Sequence, residues 1–187
     1  MRACIMTAIL ALACIVVLAG TAGAGKFSPA LPMDTYTDAG RPNESFGSEG
    51  TLWVTSEDGK PMQMAYLTFE GMIKLPQQIG SATLKMYVKE VERPGKVSLY
   101  LYDQAAMDII TWADQPEHDP EAVGTLDIQG PGWQTWDATA FVKKAAAECS
   151  EGCPFSVVLV ADDNASIEFA SLESSPEEQP ALEYEAS

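Results

Sequence analysis

The sequence predicts an all-β domain: an antiparallel β-sandwich, jelly-roll-like, with one short helix. Three observations carry this. Residues 81–89 and 96–102 alternate apolar and polar side chains with period two, the signature of strands with one buried face. Seven further short stretches read as strands, and turn residues separate most of them. Hydrophobic residues make up 47% of the 187-residue chain, enough for a packed core.

The opening residues stand apart from the fold. Arg2 precedes the apolar run Ile5–Leu18, and the small residues Ala19 to Ala24 follow. That order is the charged, apolar and small-residue pattern of a secretory signal, expected to be cleaved after Ala24. The run holds 14 residues, short of the roughly 20 that a membrane span needs. Cleavage would leave 163 residues carrying 10 basic and 27 acidic side chains, a charge of −17 with no transmembrane span. Such charge repels phosphate backbones and excludes nucleic acid as a partner. His118 is the single histidine, which rules out a histidine-rich metal site.

Residues 25–32 read as a flexible lead-in to a domain at 33–187. The strand candidates follow in order: Asp34–Asp38, Thr51–Thr55 and Gln63–Phe69. In 81–89, Ala82, Leu84, Met86 and Val88 point inward, and Thr83, Lys85, Tyr87 and Lys89 outward. Glu92-Arg93-Pro94-Gly95 is a turn signal. Val97, Leu99 and Leu101 then alternate with Ser98, Tyr100 and Tyr102. Trp133–Trp136, Phe155–Ala161, Ser166–Ala170 and Ala181–Glu185 complete the strands. A helix is expected over Ala140–Glu148, capped by Thr139, with Val142, Ala146 and Cys149 on one face. Cys149 and Cys153 are spaced for a small-loop disulfide in an oxidising compartment.

Five segments, in order, carry a family resemblance. They are Asp34-Thr35-Tyr36-Thr37-Asp38 with Pro42-Asn43, Phe46-Gly47 and Leu52-Trp53-Val54; Ala65–Phe69 with Ser81–Val88; Ile110–Pro116; Gly132-Trp133 with Asp137-Ala138-Thr139 and Phe141-Val142; and Phe169–Glu173 with Pro180-Ala181-Leu182. Taken together, residues 33–185 resemble the DNRLRE domain family, which overlaps carbohydrate-binding module family 96. The resemblance implies a secreted β-sandwich module, often appended to polysaccharide lyases or surface proteins, with some members binding alginate-like acidic glycans through basic residues. Two departures stand out. Ala105 and Met107 occupy places where the family usually has Trp and Glu, and basic residues are few.

A hairpin register placing Val88 opposite Leu99 would set Tyr87 beside Tyr100 and Lys85 beside Tyr102, with Lys89 on the same outer face. Aromatic faces stack on sugar rings, and lysines bind hydroxyls or carboxylates. The same pattern also fits a cross-strand ladder or a covered face. Trp53 is out of phase with Leu52 and Val54, which allows exposure or partial burial under the Arg41–Gly50 loop. Trp112, Trp133 and Trp136 read as core or rim. Asp162-Asp163-Asn164 reads as a hairpin turn, and His118 as a surface residue. The acidic loops, such as Asp34–Glu44, offer hard oxygen ligands, and the resemblance implies a sandwich module of a kind that often holds structural calcium, so a calcium ion (Ca2+) is expected, with Asp38 and Asn43 as ligands. No nucleophile motif is present, and carboxylates are too plentiful for any pair to mark a catalytic site. The expected function is a secreted, non-catalytic module that binds a polysaccharide or cell-surface glycan. The competing class is a structural or adhesive surface protein that assembles with itself or with another secreted chain.

Overall fold

The computed structural model describes residues 24–71, 75–102, 109–148 and 154–187. Over these residues it is an antiparallel β-sandwich with one α-helix and a 3-10 turn at Pro76–Gln78. In chain order the strands are β1 (Gly25–Phe27), β2 (Ala30–Asp38), β3 (Thr51–Glu57), β4 (Lys60–Glu70), β5 (Ile79–Arg93), β6 (Gly95–Tyr102), β7 (Ala122–Ile128) and β8 (Gly132–Asp137), then β9 (Phe155–Ala161), β10 (Ser166–Ala170) and β11 (Ala181–Ala186). The helix α1 (Thr139–Glu148) lies between β8 and β9.

Two layers face one another and are joined where β3 turns into β4. In the first layer β5 is the long central strand. One of its edges pairs with β8, and the other pairs with β11 along its first half and with β10 along its second. β10 continues to β3, and β11 to β1. The second layer runs β2-β4-β9-β6-β7.

The period-two pattern explains the core. Leu84, Met86 and Val88 of β5 meet Leu67, Val97, Leu99, Val157 and Leu159 from the opposite layer. Trp136 and Phe169 add aromatic mass there, with ring centroids 6.0 Å apart. At one end, Phe141 of α1 packs against Phe69 and Phe155. Each fully buried side chain of this size contributes about 1.5–3 kcal/mol.

Three connections lie together where the layers join. Asp58 and Gly59 both have positive φ, 50° and 72°, in the tight β3–β4 hairpin. The Arg93-Pro94-Gly95 turn carries the chain from β5 in one layer to β6 in the other, so residues 81–89 and 96–102 do not form a hairpin. Asp162-Asp163-Asn164 likewise links β9 to β10 across the layers rather than within one. These turns bind each other: Arg93 Nε donates to the Asn164 carbonyl at 2.6 Å, and Gly59 N–H donates to that of Asp163 at 3.1 Å.

Other expectations are corrected too. Residues 25–32 are not a free lead-in, because β1 pairs with β11 and β2 begins at Ala30. Thr139 does not cap α1. Its hydroxyl accepts the Ala82 N–H, while the Asp137 carboxylate accepts the Thr139 N–H at 2.9 Å. Cys149 and Cys153, with the expected helix-face position of Cys149, lie outside the described residues, as does nearly all of the leader at 1–24. Among the described residues no helix is long and apolar enough to cross a membrane.

Candidate functional site

The outer faces of the two layers differ, and the difference comes from one loop. On the second layer, Met64, Tyr66, Val158, Val160 and Tyr102 point away from the main core. They are not exposed, because Ile110 and Trp112 fold over them as a second apolar cluster. Gln115 of the same loop accepts from Thr37 Oγ1 at 2.6 Å and from the Tyr66 hydroxyl at 3.2 Å. The expected outer position of Tyr102 is therefore filled: it is 5% exposed and packs edge-on to Tyr66. Tyr100 remains half-open at the loop's margin, where the His118 ring lies 4.5 Å from it. His118 is half-buried against that ring, not a simple surface residue. A groove of about 530 Å3 there is lined by Lys96, Tyr100, His118 and Asp162. It meets a second hollow of about 430 Å3 beside Trp112, and the two share Pro61 and His118.

On the first layer no segment among the described residues covers the outer face of β5 and β8, where Trp133 is exposed. The register sets Tyr87 opposite Trp133, and Lys85 opposite Thr135. Trp133 is 49% exposed, and its ring meets Tyr87 edge-to-face at a centroid distance of 5.6 Å. Lys85 Nζ pairs with Glu183 at 3.0 Å, and Lys89 Nζ with Glu168 at 4.0 Å. Trp53 lies on β3 opposite Glu168, half-buried with part of its ring against the core. The proposed constellation is thus divided. Lys85, Tyr87, Lys89 and Trp53 belong to the first layer, while Tyr100 and Tyr102 belong to the second. The cause is the turn at Arg93–Gly95, which changes layers instead of folding β6 back on β5.

Trp133 is the residue that sequence reasoning assigned wrongly, as core or rim. The signal was present: in Gly132-Trp133-Gln134-Thr135-Trp136, alternation with a core Trp136 turns Trp133 outward. Trp136 is 1% exposed, and Trp112 is half-buried over the second cluster, as a rim residue would be.

The metal expectation fares differently at its two residues. Asn43 is exposed. Asp38 is already committed: its carboxylate accepts from Gly40 N–H, Arg41 Nε and Nη2, and Gln63 Nε2, at 2.7–3.1 Å. A carboxylate neutralised by an arginine fork does not fit a calcium ligand. Asp34, four residues earlier, is the unusual acid. It is 2% exposed, Leu172 N–H donates to its Oδ2 at 2.8 Å, and its Oδ1 has no partner. Desolvation pushes this carboxyl up to about 7, helped by the neighbouring Glu173 charge and opposed by the Leu172 hydrogen bond. Among the described residues no group of three or more His, Cys, Asp or Glu side chains is arranged to hold a metal.

The family model for carbohydrate-binding module family 96 matches residues 27–185, from β1 to the last strand. No curated protein matches the chain.

Proposed function

The chain belongs to carbohydrate-binding module family 96, and from that premise we propose that it binds a polysaccharide, without catalysis, on the uncovered face of its first layer. One observation carries the choice of face: a tryptophan, Trp133, stands 49% exposed on an open sheet, braced edge-on by Tyr87. An exposed indole held in place can stack on the apolar face of a sugar ring at little entropic cost. Tyr100, by contrast, has its own ring against His118, and Trp112 is committed to the apolar cluster beneath it.

The polar groups around Trp133 suit hydroxyls. Lys85, Thr135 and Glu183 lie beside the aromatic pair, and Lys89 and Glu168 lead toward Trp53 on β3. β8, β5, β10 and β3 succeed one another across the sheet, so Trp133 and Trp53 are separated by three strand steps, roughly 14 Å, and by three residues along β5, roughly 10 Å. That span fits an extended chain crossing the strands. Both lysines are already paired with glutamates, and the whole molecule carries −16. Exposed pairs of this kind are weak and leave their donors available to hydroxyls. They offer no surplus positive charge to a dense polyanion. The reading therefore favours neutral or lightly charged glycans over polyuronates. The leader-like residues 1–24 support action outside the cell.

Titration against neutral polysaccharides and uronic-acid polymers tests this. The reading expects modest affinity for a neutral polymer, with a roughly thirtyfold loss in Trp133→Ala, the size of a central aromatic contact. Undiminished binding in a folded Trp133→Ala/Tyr87→Ala variant would move the site elsewhere. Concentration-dependent self-association with no glycan binding would favour the structural role instead.

A further inference from the structure

The second layer carries a cleft that the open face does not use. Its two hollows, of about 530 and 430 Å3, meet at Pro61 and His118. Each is large enough for a small ligand, since such sites run from about 300 to 1,000 Å3. One wall is the loop that carries Trp112 and His118, and the fold holds it in place. Gln115 accepts from Thr37 and Tyr66, Ala113 N–H donates to the Pro42 carbonyl at 2.9 Å, and Asp119 N–H donates to that of Leu101 at 2.8 Å. The Asp119 carboxylate also pairs with Lys144. Polar groups in the first hollow are unspent. The Asp162 N–H donates to the Lys96 carbonyl at 2.9 Å, so the two residues are cross-strand neighbours. Yet Lys96 is exposed and forms no ion pair among the described residues. The Asp162 carboxylate instead accepts from the Ser98 hydroxyl, at a long 3.3 Å. His118 Nδ1 lies 2.7 Å from the Asp119 carbonyl, which can only accept. Neutral His118 therefore carries its proton on Nδ1 and keeps Nε2 as an acceptor. The second hollow is more apolar, with Trp112, Met64 and Pro116 in its lining.

We propose that this cleft is a second, weaker glycan site, which takes a short stretch of neutral saccharide with one ring in each hollow. The choice of a saccharide rests on the family reading given above; the site itself does not. A ligand here must accept from Lys96 and donate to Asp162 and to His118 Nε2. A hydroxyl does both with one group, and a sugar ring presents several side by side. An anion would satisfy Lys96 but meet the Asp162, Asp163 and Glu117 carboxylates that share the lining. A simple cation offers Lys96 no acceptor and lays nothing against Trp112. The faces of Tyr100, His118 and Trp112 are engaged within the fold, so they form no platform of the kind Trp133 does. They serve as walls, against which the C–H edges of a ring pack. A cleft held this firmly loses little freedom on binding. The two sites lie on the outer faces of opposite layers, so a short oligosaccharide cannot fill both. One module then holds two glycan chains and bridges them.

The test titrates the purified protein with cellohexaose, mannohexaose, xylohexaose and laminarihexaose, read by calorimetry and by the tryptophan indole N–H signals. With at least one of them, two hexasaccharides should bind per chain in separate events. Trp133→Ala should remove the tighter event and leave the weaker one, in which the Trp112 signal still moves. Lys96→Ala/His118→Ala should do the reverse, weakening the cleft event by roughly tenfold or more. The Trp112 signal in Trp133→Ala protein decides the matter even if the cleft variant does not fold. A single event that is lost in Trp133→Ala, with Trp112 unmoved throughout, overturns the cleft and leaves the open face standing. A single event that survives Trp133→Ala and is lost in Lys96→Ala/His118→Ala upholds the cleft and refutes the open face. No binding of any hexasaccharide overturns both. A Trp112 response to glucosamine oligomers alone would make the cleft a cation site and overturn the neutral assignment.

Discussion

Gly95 stands where the chain leaves one layer for the other, and replacing it with alanine is the sharpest probe of that crossover. A Cβ built on Gly95 would lie 2.8 Å from the Cβ of Ala165 and 3.6 Å from its Cα. That is roughly 0.7 Å short of the 3.5–4.0 Å at which carbons attract. Ala165 cannot easily yield. It is 1% exposed, its N–H donates to the Asp162 carbonyl at 3.2 Å, and its own carbonyl accepts from Ser56 N–H at 2.9 Å. Overpacking of this kind costs about 1–3 kcal/mol. In a domain of this size each kcal/mol lowers the melting temperature by roughly 2–4 °C. At a central cost of about 2 kcal/mol, Gly95→Ala should therefore melt about 4–8 °C below wild type. Ala165→Gly removes the opposing methyl at a cost near 1 kcal/mol, and combined with Gly95→Ala it should recover most of the loss. Thermal unfolding of the four proteins gives the coupling energy directly, expected at about 1–2 kcal/mol. A Gly95→Ala protein that melts with wild type, or a coupling below about 0.5 kcal/mol, would refute the packing of the two crossovers against each other.

Two further outcomes follow from particular contacts. Asp137→Ala removes the acceptor at the start of α1 and should cost about 1 kcal/mol in chemical denaturation. The Thr139 hydroxyl and amide hold the Asp137 carboxyl below its usual range, so the difference from wild type should be constant above pH 4–5 and vanish as pH falls through that lowered value. Cys149 and Cys153 should be bridged in protein made in an oxidising compartment, read as a 2 Da mass gain on reduction (about 2 kcal/mol or less of stability by loop entropy); two free thiols would remove the bond from the account.

The strands that one face buries were legible because alternation is a local signal. Leu84, Met86 and Val88 could be assigned inward from spacing alone, and so could Val97, Leu99 and Leu101. β9 reads as an apolar run from Val157 to Ala161 because both of its faces are covered, one by the core and one by the loop that carries Trp112. β7 escaped notice because it is a weakly buried strand, with Gly124 interrupting its apolar residues. β1 is three residues that pair with β11, with Phe27 stacked on Tyr184, and no property of Gly25-Lys26-Phe27 announces that partner. The error with the largest consequence was at Arg93-Pro94-Gly95. A hairpin and a crossover both need turn residues, and alternation says which face is buried but not which strand lies alongside. Assuming a hairpin put Tyr100 and Tyr102 beside Tyr87. In the fold they lie on the opposite layer, and Tyr102 is covered by a loop whose docking depends on Gln115 meeting Thr37 and Tyr66. The surroundings of Asp38 were hidden for a similar reason: its acidity is visible in sequence, but the four donors that fold around it are not.

The central claim is that glycan meets the face carrying Trp133. The protein contains four tryptophans, so the indole N–H region of a proton–nitrogen spectrum holds at most four signals, each assignable by single substitution. Trp133 lies on the open first layer, Trp53 at its far side, Trp112 over the second layer and Trp136 in the core. Titration with a soluble oligosaccharide of whichever polymer binds should shift the Trp133 signal most, shift Trp53 less, and leave Trp136 unmoved. A shift confined to Trp112 would place the ligand in the groove beside His118, and unmoved signals at saturating ligand would show that the aromatic face is not where sugar binds.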